Sequence, residues 1–179
     1  IEFQCAIGRS LDIITQVETV HAFTRDLGSD YGAYTAGTAM LETAERIVAD
    51  TEEPSVQQYQ LLVGALAALT EHRQAPSVLM DSYQLRALAI AGYAPSFDGC
   101  ARCGSDETCR YFHIASGGAL CDDCRVSGAS VPGEATIALL GAPLAGDERS
   151  RNAAGGIVAA YLSWHLERGL RSLIHVDRG

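Results

Sequence analysis

Four cysteines carry the most specific chemical pattern in this sequence. Cys100 and Cys103 form one C-x2-C pair, Cys121 and Cys124 form a second, and seventeen residues separate the two pairs. This spacing lets two short turns deliver four thiolates to one tetrahedral metal ion, and it favours zinc over a rubredoxin-like iron site or thioredoxin-type redox pairs. Because four sulfurs leave no open position for a reactive water, we predict one structural zinc per chain.

Other residues that could take part in metal chemistry have simpler explanations. Cys109 lies in the gap between the pairs, and we expect it to be a bystander; His113 would replace a cysteine only if the two pairs did not both bind. The run His165-Leu166-Glu167 matches the H-x-E element of zinc deaminases, but it follows the cysteines instead of preceding them. We therefore expect His165 to be a partly buried helix residue.

Familiar catalytic motifs are missing from the sequence. The chain has no lysine, so it has no phosphate-binding G-x-x-x-x-G-K-[ST] loop, and neither G-x-S-x-G nor H-E-x-x-H occurs. We expect neither enzymatic activity nor a small-molecule substrate.

The balance of charge restricts how this chain could bind nucleic acid. Thirteen basic residues, all arginine, stand against twenty-two acidic residues, and the net charge of −9 argues against phosphate binding over a broad face. Arg102, Arg110 and Arg125 lie beside the cysteines, where they could balance the negative charge of a four-thiolate zinc centre or contact DNA. Arg168 and Arg171 could complement a helix C-terminus or bind phosphate or an acidic peptide.

Periodicity predicts a β-hairpin followed by a helical body. Residues 2–20 alternate as two strands, which need either a further segment upstream of Ile1 or a cover of helices to be stable. Helical periodicity follows over 38–49, from Ser55 onward, over 76–91, over 134–140 and over 156–170, with a loop at 141–151. The cysteine module occupies 95–128 as an insert with a small hairpin. No apolar run is long enough to span a membrane, and we expect a cytoplasmic protein.

Three segments together carry a family resemblance. The residues Leu85-Arg86-Ala87-Leu88-Ala89-Ile90-Ala91-Gly92-Tyr93-Ala94-Pro95 run into Cys100-Ala101-Arg102-Cys103-Gly104, after a strand-like segment Leu11-Asp12-Ile13-Ile14-Thr15-Gln16-Val17-Glu18. This combination resembles the RecO family of bacterial DNA repair and recombination mediators. The similarity runs from residue 1 to the terminal helix.

The resemblance implies a mainly α fold, in which a helical domain with an inserted four-cysteine zinc ribbon follows the remnant of an OB-type β-barrel. Residues 1–24 would be the last strands of that barrel, 25–179 the helical domain and 95–128 the zinc module. The implied function is binding of single- and double-stranded DNA, strand annealing, and loading of RecA at single-strand gaps with RecR and single-strand-binding protein, in association with the nucleoid. The candidate DNA contacts are Arg9, Arg102, Arg110, Arg125, Arg168 and Arg171.

The sequence also supports a second hypothesis, in which the protein has a function of a different class. The same cysteine array is typical of zinc-ribbon modules that mediate protein interactions in transcription or assembly factors, where DNA contact is incidental or absent. Salt-dependent DNA binding would distinguish the two functions.

Overall fold

Six α-helices and two small antiparallel sheets form the described part of the chain. The computed structural model describes residues 1–49, 55–141, 148–166 and 170–177. The helices are α1 Phe23–Leu27, α2 Tyr31–Val48, α3 Val56–Thr70, α4 Pro76–Ile90, α5 Glu134–Gly141 and α6 Glu148–His165, and the strands are β1 Glu2–Ala6, β2 Ile13–Glu18, β3 Tyr111–His113 and β4 Gly118–Leu120. The predicted mainly α architecture is confirmed. Within these residues, no helix is both long and apolar enough to cross a membrane.

Helix α4 is the central element, as its nearly all-round apolar sequence predicts. It begins with Pro76 in its first turn, where the missing N–H costs nothing, and it packs against α2, α3 and α6. Met80, Tyr83 and Leu88 on this helix are at most 2% exposed. A helix that is buried on several sides organises the core around itself.

Helix α2 starts seven residues earlier than the predicted residue 38. The Asp30 carboxylate caps it by accepting a hydrogen bond from the backbone N–H of Ala33 at 3.0 Å. Its buried face consists largely of small residues, among them Ala36 and Ala39, both 0% exposed. Small side chains allow close helix approach but give a weak hydrophobic stripe, which explains the late predicted start.

Helix α3 begins as predicted. The Ser55 hydroxyl accepts a hydrogen bond from the N–H of Gln58 at 3.2 Å. The reciprocal half of a capping box is not formed, because the Gln58 side chain donates instead to the carbonyl oxygen of Ala87 on α4, at 2.8 Å. Gln58 thus serves as a buried link between two helices.

The N-terminal ribbon is the predicted hairpin. Strands β1 and β2 pair antiparallel, with Phe3 opposite Val17, and a bulge after Gln4 places Cys5 opposite Ile14. Every residue of both strands is exposed. That this ribbon is the remnant of an OB-type barrel stays a prediction, as do the domain bounds 1–24 and 25–179.

The C-terminal helix differs from its predicted bounds. Helix α5 extends to Gly141 and helix α6 begins at Glu148, so the loop predicted over 141–151 is wrong for Gly141 and for residues 148–151, while 142–147 lie outside the described residues. The exposed Glu148 and Arg149 and the partly buried Ser150 and Arg151 dilute the apolar stripe in this first turn, and packing against α4 and α5 decides its conformation. The helix ends at His165, before the predicted residue 170.

Candidate metal centre

A hairpin and an adjacent segment form the scaffold of the cysteine module. Strands β3 and β4 pair antiparallel, with Tyr111 opposite Leu120, which confirms the small hairpin predicted between the cysteine pairs. Ser96 flanks β4: its N–H donates to the Gly117 carbonyl at 2.9 Å, and its carbonyl accepts from the Ala119 N–H at 2.8 Å. A Cβ on Gly118 would lie 2.3 Å from the carbonyl oxygen of Ser96, so this close approach requires glycine.

Each cysteine pair lies on a tight turn. In the first, the Gly104 N–H donates to the Cys100 carbonyl at 2.8 Å, and Gly104 has a positive φ of 71°. In the second, the Cys124 N–H donates to the Cys121 carbonyl at 3.2 Å. These turns point both cysteines of a pair to the same side, which is the local requirement for chelation.

The tertiary fold brings all four sulfurs together. The Sγ atoms of Cys100, Cys103, Cys121 and Cys124 lie within 4.8 Å of one another, and those of Cys103 and Cys121 are 3.8 Å apart. Zn–S bonds of about 2.3 Å in a tetrahedron require sulfur separations of about 3.8 Å. All four cysteines are free thiols. The cluster therefore fits a four-coordinate ion.

Electrostatics explain why this cluster suits a cation. Burial raises the pKa of the Cys100 thiol, but backbone N–H groups of Cys121, Cys103 and Arg102 outweigh it and lower the pKa to about 6. Contact with the sulfurs of Cys103 and Cys121 raises the pKa of Cys124 to about 12. Four thiolates this close repel one another, so holding all of them deprotonated requires a bound positive charge.

The two bystander predictions agree with this geometry. Cys109 is buried beside the cluster, but its sulfur donates to the Glu107 carbonyl at 3.4 Å and does not belong to the four-sulfur group. The Nδ1 atom of His113 is 2.8 Å from the Ser116 hydroxyl instead of facing the sulfurs. Neither residue replaces a cysteine.

Arginines join the two halves of the module. Arg102, on the first turn, donates to the carbonyl oxygen of Cys124 on the second at 3.3 Å. The guanidinium of Arg125 lies 4.9 Å from the centre of the Tyr111 ring. Arg110 is exposed, and its side chain makes no ion pair or hydrogen bond with the rest of the described chain. Arg102 thus ties the two turns together, and its role in balancing the thiolate charge stays a prediction.

The remaining arginine candidates lie on other elements. Arg9 is exposed in the turn between β1 and β2, and Arg171 is exposed beside α2, where its backbone N–H donates to Glu42. Arg168 lies outside the described residues. The structure groups Arg102, Arg110 and Arg125 on one module and does not gather the others with them, so their common role in DNA binding stays a prediction.

An aromatic cluster fixes the module to the helical body. Phe112 on β3 is 2% exposed, and its ring centre lies 5.8 Å from that of Phe97 and 5.9 Å from that of Tyr161 on α6. Leu88 on α4 belongs to the same buried group. The helices therefore hold the ribbon in a defined position through apolar packing as well as chain connectivity.

The sequence does not reveal the polar contacts of Glu42 or the surroundings of His165. Glu42 accepts hydrogen bonds from Arg171 and Ser172, about 130 positions away in the chain. His165 is partly buried between the rings of Tyr93 and Tyr161, as predicted, but its Nε2 atom is buried without a partner in the described structure. Both sites depend on long-range packing, and only the helical position of each could be inferred from the sequence.

Comparison with known proteins decides the family. The model of the family described as "Recombination protein O C terminal" matches residues 28–174. The chain belongs to the RecO family of DNA repair proteins. Curated relatives named DNA repair protein RecO include that of Nocardioides sp., which is 53% identical over 99% of this chain and 78% of that protein. The relative from Streptomyces coelicolor is 49% identical over 96% of this chain and 73% of that protein. The relative from Thermobifida fusca is 46% identical over 99% of this chain and 76% of that protein. The RecO match covers both the helical body and the cysteine module described above.

Proposed function

We propose that this RecO family member is a DNA repair and recombination mediator without covalent catalysis. It binds single- and double-stranded DNA, promotes annealing of complementary strands, and helps load RecA at single-strand gaps with RecR and single-strand-binding protein, in the cytoplasm at the nucleoid. The observation that carries this proposal is the RecO match over residues 28–174, supported by relatives of about half identity along nearly the whole chain.

Annealing has a physical basis that needs no reaction centre. Cationic side chains that reduce phosphate repulsion, while leaving bases free to pair, lower the cost of bringing two strands together. Because the chain carries a net charge of −9, any such contact must be local. The cysteine module provides local positive charge through Arg110, Arg102 and Arg125, which are all exposed.

We propose that the four cysteines hold one structural zinc. The ion supplies a rigid cross-link between the two turns, since four thiolates complete its coordination. The surrounding residues set the position of this cross-link: Arg102 ties the turns together at Cys124, and Phe112 seats the hairpin on the helices. Zinc therefore stabilises the platform that presents the arginines.

A groove along α2 suits the acidic, hydrophobic-ended tail of single-strand-binding protein. Helices α4 and α6 pack directly against each other, so this groove does not lie between them. The exposed Tyr31 and Leu41 instead line a cavity of about 630 Å³ whose rim carries Arg171 and His175. The apolar side chains and Arg171 match that tail's chemistry, whereas the carboxylates of Glu42 and Glu45 in the same lining oppose its negative charge.

Gel-shift and strand-annealing assays with a salt titration test the proposal. We expect affinity for single-stranded DNA to fall steeply with salt, and simultaneous replacement of Arg102, Arg110 and Arg125 by alanine to weaken binding and flatten that slope. Arg73→Ala is the control, because this exposed arginine lies outside the cysteine module and pairs with Glu71. Absence of DNA binding at low salt would favour a zinc-ribbon interaction module instead.

A further inference from the structure

A second cavity lies where four helices end or begin. It has a volume of about 460 Å³ and is lined by residues from the end of α2, the start of α3, and the ends of α4 and α6. Its lining includes Gln58, Tyr93 and His165. This volume is within the range of about 300–1,000 Å³ typical of small-ligand sites.

Two polar atoms at this cavity lack partners within the described structure. Gln58 is 5% exposed, and its Nε2 donates to the Ala87 carbonyl at 2.8 Å, which leaves its Oε1 as a buried acceptor without a donor. The Nε2 atom of His165 is also buried and unpartnered. Both atoms are closed off from solvent, so a ligand pairs with them only after their side chains turn toward the cavity, and it then relieves the cost of an unpaired buried polar group.

Aromatic rings form another wall of the same cavity. The Tyr93 ring centre lies 4.7 Å from that of His165, which in turn lies 4.4 Å from that of Tyr161. Tyr93 is 47% exposed, so part of its ring remains available for stacking. Burial lowers the pKa of His165, which keeps the imidazole neutral near pH 7. The cavity thus combines a planar apolar surface with uncharged hydrogen-bonding groups.

The charges around the cavity favour a ligand group that carries no charge. The one cationic guanidinium among the lining residues belongs to Arg46, whose Nη2 already bonds to the Glu42 carboxylate at 2.8 Å. The Ser55 hydroxyl accepts from the Gln58 N–H and retains its own proton for a ligand acceptor. A neutral, planar heterocycle carrying both donors and acceptors matches these groups.

We infer that this cavity binds a nucleobase extruded from single-stranded DNA, stacked at Tyr93 and hydrogen-bonded at Gln58 and His165. The inference rests on the proposed DNA binding and adds to it a site for the base as distinct from the phosphates. Pockets of this kind read a base through its hydrogen-bonding edge and an aromatic face. A single bound base would also keep a strand in place while its neighbours remain free to pair.

Fluorescence anisotropy with a labelled single-stranded oligonucleotide, and with an abasic oligonucleotide of equal length, tests this site. We expect Tyr93→Ala to weaken binding of the intact strand about tenfold and Gln58→Leu about fivefold, with little change for the abasic strand. His165→Phe retains the ring but removes the nitrogen, so we expect an intermediate loss. Tyr59→Ala is the matched control, because Tyr59 is 66% exposed on α3 and does not line the cavity.

The outcomes separate this site from DNA binding in general. Equal affinity of the wild type for intact and abasic strands, or unchanged binding by Tyr93→Ala, would overturn the base pocket and leave the mediator function standing. Loss of binding to an acidic, hydrophobic-ended peptide in Tyr93→Ala, with DNA binding intact, would assign the cavity to a protein partner. Displacement of the labelled intact strand by excess free adenosine or thymidine would support the base pocket. Because Tyr93 is exposed, its variant remains informative even if Gln58→Leu unfolds.

Discussion

Neutralising Glu42 should reveal how the C-terminal segment is attached to α2. The Glu42 carboxylate accepts hydrogen bonds from the backbone N–H groups of Arg171 and Ser172, both at 2.9 Å, and from the Ser172 hydroxyl at 2.5 Å. Arg46, one turn along α2, donates to it at 2.8 Å. A single carboxylate thus anchors the 3-10 turn Ser172–His175, and Glu42→Gln removes its charge with almost no change in volume.

The magnitude follows from the pKa of this group. Burial by itself raises the pKa of Glu42, but the hydrogen bonds from Ser172 and Arg171 and the charge of Arg46 outweigh it and lower the pKa from 4.5 to about 2. A shift of this size corresponds to about 3 kcal/mol of folding free energy at neutral pH. Since the folded-state pKa is the lower one, this stabilisation is complete above pH 4.5 and is lost as the pH falls toward 2.

Urea unfolding at pH 7 and at pH 3 measures this contribution. We expect Glu42→Gln to lower the free energy of unfolding by about 2–3 kcal/mol at pH 7, and the gap from wild type to narrow clearly at pH 3. Acid release of any bound metal affects both proteins alike, so it cancels in the difference. Glu45→Gln, an exposed change three residues along α2, should stay within about 0.5 kcal/mol of wild type. The anchoring role would be refuted if Glu42→Gln and wild type had the same free energy of unfolding at pH 7, or if their difference did not change with pH.

Other expected outcomes concern the metal, the close turn and a helix cap. Metal analysis should give about one zinc per chain, and Cys121→Ser should abolish zinc binding. Hydrogen exchange should show that chelation loosens residues 95–128 before the helical core. A metal-free protein with a fully ordered module would contradict this. Gly118→Ala should destabilise the module by more than about 1 kcal/mol, because its Cβ would lie 2.3 Å from the carbonyl oxygen of Ser96. Gly64→Ala should instead raise the melting temperature, because open space surrounds this position on α3. Asp30→Ala should cost about 1 kcal/mol in urea unfolding by removing the α2 cap, and no change would show that the cap is dispensable.

Local patterns predicted most elements because local physics forms them. The Ser55 cap and Pro76 mark helix starts that depend on nearby backbone groups, and both starts are where the sequence indicated. The starts of α2 and α6 were placed too late, because a face of alanines such as Ala36 or a polar first turn after Glu148 becomes helical through packing that a hydrophobic stripe does not record.

The candidate site likewise has a part that the sequence predicts and a part that depends on the tertiary structure. The spacing of Cys100, Cys103, Cys121 and Cys124 was sufficient to predict a common centre, because each C-x2-C turn is closed by its own backbone hydrogen bonds and only the distance between turns is left to the fold. No comparable spacing marks the arginines, whose long side chains meet partners such as Tyr111 only through the tertiary arrangement.

The amino-acid sequence by itself determined the helical body, the cysteine centre and the family resemblance, since each depends on residue types at short, regular intervals. Only the tertiary structure decided that Glu42 anchors the C-terminal segment, and that Gln58 and His165 border one cavity with unpaired polar atoms. The physical reason is that burial and pairing of a polar group depend on what packs over it, and these partners come from helices far apart in the chain.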